Sequence, residues 1–76
     1  DIGGSAMIRS AAKNFRYVTV AVNPERYPEL MHAMKAHDGK APYTLRYKLA
    51  QEAFDLTARY DQTIAAFLRD HQPPEE

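Results

Sequence analysis

Tyr17-Val18-Thr19-Val20-Ala21-Val22 is the stretch that decides the fold class. It is dense in β-branched residues and closed by the turn pair Asn23-Pro24, so it reads as a β-strand. Nearly every residue is apolar, the pattern of a parallel strand covered on both faces. No second stretch of the chain reads this way. A lone strand leaves its N–H and C=O groups unpaired, and burying them so costs about 1–3 kcal/mol each. Neighbouring strands are therefore expected from sequence preceding Asp1, or from another copy of the chain by edge pairing. The chain opens on Asp1 with no initiator Met. We read it as a segment of something longer.

Helices are expected on both sides of the strand. Ser5 to about Asn14 predicts a short one, with Met7, Ile8, Ala11 and Ala12 on one side at helical spacing. Pro24 suits the first turn of a second helix, about Pro24 to His37, with Leu30, Met31 and Met34 facing inward. Pro28 sits inside that first turn, where a missing N–H does little harm. Asp38-Gly39 ends the element, and Lys40-Ala41-Pro42 forms a loop. From Tyr43 to about Asp70 runs a long helix. Its stripe Leu45, Leu49, Ala53, Leu56, Tyr60, Ile64, Phe67 steps by three or four residues throughout. A second set, Tyr47, Ala50, Phe54, Thr57 and Leu68, broadens that apolar face. Gln72-Pro73-Pro74-Glu75-Glu76 reads as a solvated end or linker.

Composition excludes several function classes. Seventy-six residues make at most one small domain. Ten Lys/Arg balance ten Asp/Glu, so no net field draws nucleic acid or an anionic membrane. Without cysteine there is no disulfide scaffold and no thiolate metal site, which fits a cytoplasmic protein. No apolar run approaches the ~20 residues of a membrane span.

Chemistry concentrates in Asp1-Ile-Gly-Gly-Ser-Ala-Met-Ile-Arg-Ser-Ala-Ala-Lys-Asn14. A carboxylate and two glycines precede a helix start, where Ser5 is placed to cap the first turn. Glycines admit a ligand close to the backbone, and the positive helix end favours an anion or a polarised oxygen. Lys13 adds an ammonium at the far end. By itself this pattern reads first as a capped turn.

Downstream residues add a resemblance. Asp1-Ile2-Gly3-Gly4, Met7-Ile8-Arg9 and Ala11-Ala12-Lys13-Asn14 resemble the cyclohydrolase domain of the bifunctional AICAR formyltransferase/IMP cyclohydrolase family of purine biosynthesis. The strand around Val18 and Val20, and Pro24 with Tyr27, fall where that family's motifs fall. So do Arg46, Leu49, Ala50, Ala53, Phe54, Thr57, Ala58, Tyr60 and Asp61. The departures are local: the family usually has Pro at Ser5, often His at Phe15, and often Asp at Asn23 and Arg26. It tends to Lys at Glu52 and His at Leu56.

The resemblance implies an α/β fold, as part of a three-layer parallel-sheet domain of methylglyoxal-synthase type, read here as helix–strand–helix–long helix. Residues 1–70 would be the C-terminal portion of the cyclohydrolase domain, and 71–76 a linker toward a formyltransferase domain. The implied reaction closes the purine ring of 5-formamidoimidazole-4-carboxamide ribotide (FAICAR) to IMP with loss of water. Amide nitrogen attacks the formyl carbon, and a proton acceptor, a proton donor and oxyanion donors are needed. By carry-over, Asp1 assists proton transfer at the nitrogen and Lys13 tunes Asp1 or stabilises charge. Backbone groups of Ile2, Gly3 and Gly4 contact the nucleotide. The family's other catalytic lysine and tyrosine, and its 5′-phosphate loop, lie upstream, so the segment alone is expected to be inactive. No cofactor is expected in this segment; 10-formyltetrahydrofolate belongs to the formyltransferase domain. Expected partners are FAICAR and IMP, the rest of the domain, and a second subunit in a homodimer.

One geometric strain accompanies the carry-over. A continuous helix advances about 1.5 Å per residue, so the Cα atoms of Asp1 and Lys13 would lie roughly 15 Å apart. A direct pair needs a helix that starts late, ends early or bends. Other candidates read more plainly. His32 and His37 are poorly spaced for one helical face, so no metal is expected. Arg9 suits a phosphate or an exposed helix charge. Arg46, Lys48, Glu52, Asp55, Arg59 and Asp61 read as a solvated face, with Asp55–Arg59 an i,i+4 pair. The alternative to an enzyme segment is a small interaction module pairing through the long helix.

Overall fold

The computed structural model describes residues 2–74. Three α-helices follow in order: α1 (Ile2–Lys13), α2 (Tyr27–Ala36) and α3 (Tyr43–Asp70), with a 3-10 turn at Pro24–Arg26 leading into α2. The molecule is elongated, 55 × 21 × 16 Å. Most of that length is α3, whose 28 residues span about 42 Å.

α1 and α3 form the only extensive helix pair among the described residues. Ala12, Ala50 and Ala53 are buried at their crossing, where the absence of larger side chains lets the two backbones close in. Ile8, Phe15, Val20, Val22 and Phe54 pack around this alanine contact. Ala12 meets residues near 50, while Gly4 and Ser5 meet Leu56 and Tyr60. The two helices therefore run antiparallel.

The expected strand does not form: Tyr17 lies in the turn that follows α1, its N–H donating to Asn14 O at 3.0 Å, residues 18–23 have no regular secondary structure, and no strand occurs among the described residues. Pairing needs a second extended segment, and the remainder of the described chain is taken up by helices and turns. Val20 and Val22 still pack on the alanine core. The backbone of residues 19–22 makes no hydrogen bond within the described residues. The parallel sheet is thus not seen.

The helix limits follow from local chemistry. α1 starts at Ile2 instead of Ser5, so Gly3 and Gly4 are helical and Ser5 lies inside the first turns, not at the cap. Gly-Gly had read as a turn, yet a helix tolerates glycine at a cost of about 1 kcal/mol each, least near an end. The second expected helix is divided. The Asn23 side chain accepts a 3.0 Å hydrogen bond from the Glu25 N–H, and the 3-10 turn this stabilises occupies Pro24–Arg26 before α2 begins. Met31 faces solvent, contrary to expectation. α2 ends where Asp38 (φ 55°) and Gly39 (φ 81°) turn left-handed and the Gly39 N–H donates to Met34 O at 2.7 Å. α3 has the expected limits. Leu45, Leu49 and Ala53 of its stripe are buried; Leu56, Tyr60, Ile64 and Phe67 are exposed, because α1 covers only the inner part.

Candidate functional site

Between the N-terminal turns of α1 and the middle of α3 lies a groove of about 300 Å³, lined by Gly4, Ser5, Ile8, Leu56, Thr57 and Tyr60. That size is at the small end of ligand pockets. Ile8 and Leu56 make its walls apolar. The Thr57 hydroxyl, buried, donates to Phe54 O at 3.0 Å and is turned back onto its own helix. The first N–H groups of α1 have no partner within their helix, so this end of the groove carries hydrogen-bond donors and the positive end of the helix dipole.

Asp1 lies outside the described residues. Ile2, Gly3 and Gly4 form the first turn of α1, and Gly4 lines the groove. Lys13 is exposed in the last turn of the same helix. From Gly4 to Lys13 the axial rise is about 14 Å. Since α1 neither starts late nor ends early, Lys13 is not among the groove residues. Leu56, Thr57 and Tyr60 also line the groove, although their helical spacing in the sequence reads as packing. The usable signal was the register: with Ala12 at the crossing, an antiparallel α3 places residues 56–60 opposite Gly4.

A second concavity of about 290 Å³ joins Val22, Asn23 and Pro24 to Glu52, Asp55 and Arg59 of α3. At its rim, Arg26 Nε donates to Glu52 Oε2 at 2.7 Å, and Nη2 lies 2.6 Å from the same oxygen. Arg26 Nη1 also meets Glu29 Oε1 at 3.3 Å, and Lys48 Nζ lies 3.7 Å from Glu29 Oε2. The hydrogen bond to Glu52 raises the Arg26 pKa above its ordinary value, against a lowering by burial. Glu52 Oε1 is buried without a hydrogen-bond partner. The expected Asp55–Arg59 pair does not form. Among the described residues no group of three or more His, Cys, Asp or Glu could hold a metal ion. None of the described helices is long and apolar enough to cross a membrane.

A third element fixes the other end of the pair. Arg46 Nε donates to Phe15 O at 3.0 Å and its Nη1 to Ala41 O, tying the turn after α1 to the loop before α3. Phe15 packs edge-on to Tyr47 (centroids 5.3 Å apart), so this residue is held from two sides.

Comparison with known proteins places these observations in context. A family model described as "AICARFT/IMPCHase bienzyme" matches residues 11–76, which include Lys13 and not Asp1–Gly4. The chain is 53% identical over 68 residues to the bifunctional purine biosynthesis protein PurH of Desulfitobacterium hafniense (strain DSM 10664 / DCB-2), covering 90% of the chain and 13% of that protein. It is 51% identical over 65 residues to PurH of Agrobacterium fabrum (86% of the chain, 12% of that protein). With PurH of Gloeothece citriformis it shares 42% identity over 73 residues (96% of the chain, 14% of that protein). The chain thus spans about an eighth of the length of the curated relatives it matches. No solved structure matches it.

Proposed function

We propose that this chain, which belongs to the AICARFT/IMPCHase bienzyme family, is part of the IMP cyclohydrolase component of a bifunctional purine-biosynthesis enzyme. Its part is to supply one wall of the site in which FAICAR closes to IMP with loss of water. The observation that carries this reading is the groove at the first turn of α1, where Gly4 meets Tyr60 and Leu56 beside the open N–H groups of the helix end. Those donors suit a carbonyl oxygen that becomes an oxyanion as the amide nitrogen attacks the formyl carbon. The apolar walls suit a flat heterocycle.

In this reading Asp1 takes the proton from the attacking nitrogen, and Ile2, Gly3 and Gly4 hold the substrate by backbone contacts. Lys13 acts from the other end of α1, because a helix length separates it from Gly4. Substrate, or a group from another part of the domain, bridges Asp1 and Lys13; they do not pair across the helix. The strand read at Tyr17–Val22, which pairs with nothing among the described residues, joins a parallel sheet whose other strands lie in other parts of the protein. Sites of this kind need a donor and an acceptor held together, so the segment by itself is inactive.

The experiment is direct. The full gene product is expected to convert FAICAR to IMP, followed by the rise in purine absorbance, whereas purified residues 1–76 are expected to give no turnover. Leu56→Trp, which fills the groove without touching the alanine core, is expected to raise KM for FAICAR about tenfold. Turnover by the isolated segment, or a Leu56→Trp enzyme with unchanged KM, would count against this reading.

A further inference from the structure

At the C-terminal end of α1, on the far side from the Gly4 groove, a concavity of about 440 Å³ is lined by Arg16, Tyr17, Thr19, Lys40 and Arg46 among others, with no carboxylate in its wall. The charge pattern here is unusual for a chain with ten basic and ten acidic residues. The ion pairs of the described residues join Arg26, Glu29, Lys48 and Glu52, and none reaches Arg16, Lys40 or Arg46. Asp38, two positions from Lys40 in sequence, does not line the cavity. Three cations therefore converge on one hollow with no compensating acid.

The three are not equally free. Arg46 is half-buried and its orientation is fixed, since Nε and Nη1 are held by Phe15 O and Ala41 O, with Tyr43 beneath the guanidinium at 5.7 Å. Its Nη2 is not committed to either carbonyl. Arg16 and Lys40 are exposed and line the opening. Thr19 contributes a hydroxyl that has no partner among the described residues. A fixed guanidinium, two exposed cations and a short polar donor match a compact dianion far better than a single carboxylate.

We propose that this concavity binds a phosphate group, as orthophosphate or as the phosphate monoester of a nucleotide. The site is independent of the cyclohydrolase reading, lying a helix length from the Gly4 groove and using none of its residues.

The test uses the full gene product. Rising inorganic phosphate is expected to slow acylation of Lys40 by an amine-reactive ester while leaving Lys35, exposed on α2, unaffected; peptide mass spectrometry reads both. Arg16→Ala, at an exposed position, is expected to move the protection to about tenfold higher phosphate, with partial recovery in Arg16→Lys. A nucleoside 5′-monophosphate is the second probe. Protection at lower concentration than orthophosphate, with the gain lost in Tyr17→Ala, identifies a nucleotide; equal concentrations identify free phosphate. Lys40 acylation that neither probe slows, or an Arg16→Ala protein protected at the same concentration as wild type, overturns the site. FAICAR turnover by the same variants is expected to be unchanged and is scored separately.

Discussion

Arg26 and Glu52, twenty-six residues apart, are joined through one carboxylate oxygen, with Arg26 Nε at 2.7 Å and Nη2 at 2.6 Å from Glu52 Oε2. The contact fastens the turn before α2 to the middle of α3.

A double-mutant cycle follows. Arg26→Asp sets a carboxylate against Glu52 and is expected to lower Tm, as Glu52→Lys does by opposing Arg26. The double variant Arg26→Asp/Glu52→Lys is expected to recover most of the loss. Additive losses in thermal melts would show that the pair is not coupled. The pH dependence has a definite sign. The Arg26 pKa is raised on folding, so its contribution is complete below the ordinary arginine value and is lost only as pH rises through the still higher folded value. Stability between neutral and moderately alkaline pH is expected to carry no slope from Arg26.

Arg46 holds two carbonyls from separate parts of the chain, Phe15 O and Ala41 O. Arg46→Met keeps the side-chain length and removes the donors. It is expected to destabilise by about 1–3 kcal/mol, measured by urea denaturation. Arg46→Lys is expected to recover only part, because one ammonium lacks the fork that reaches both oxygens.

The alanine crossing is expected to be intolerant of size. Ala53 is fully buried against Ala12 and Ala50. Ala53→Leu would force α1 away from α3 and is expected to cost about 1–3 kcal/mol. Ala58→Leu, at an exposed position of the same helix, is expected to be near neutral. Equal denaturation midpoints for the two variants would contradict this packing.

Lys13 is exposed and outside the core, so Lys13→Ala is expected to leave the thermal midpoint unchanged. On the proposed function it is expected to lower kcat for FAICAR cyclisation by about 10²-fold or more. Unchanged cyclisation would remove Lys13 from the site.

What was legible in the sequence was what repeats locally. The stripe from Leu45 to Phe67 fixes α3 to its observed limits because a 3.6-residue period carries its own evidence. Asp38-Gly39 likewise ends α2 by backbone conformation alone. Tyr17–Val22 reads as a strand but does not form one among the described residues, because a ladder requires a partner that no local pattern supplies, and Tyr17 is taken into the turn after α1. The start of α1 was missed since Gly3-Gly4 suits a turn as well as a helix end. The groove was hidden for a different reason. Leu56 and Tyr60 repeat like core residues, and only the antiparallel crossing at Ala12 shows that they stand opposite Gly4 instead of beneath it.

α3 is more than twice as long as α1, 28 residues against 12. Isolated helical turns are marginal in water, so its stability must be graded along the axis. Amide exchange is expected to be slowest around Leu49–Ala53 and to quicken step by step toward Asp70, where the His71 ring stacked on Phe67 at 3.9 Å is the last tether. In this chain one continuous helix spans two regimes, a cooperative inner part that opens only with the whole fold and an outer part that breathes turn by turn.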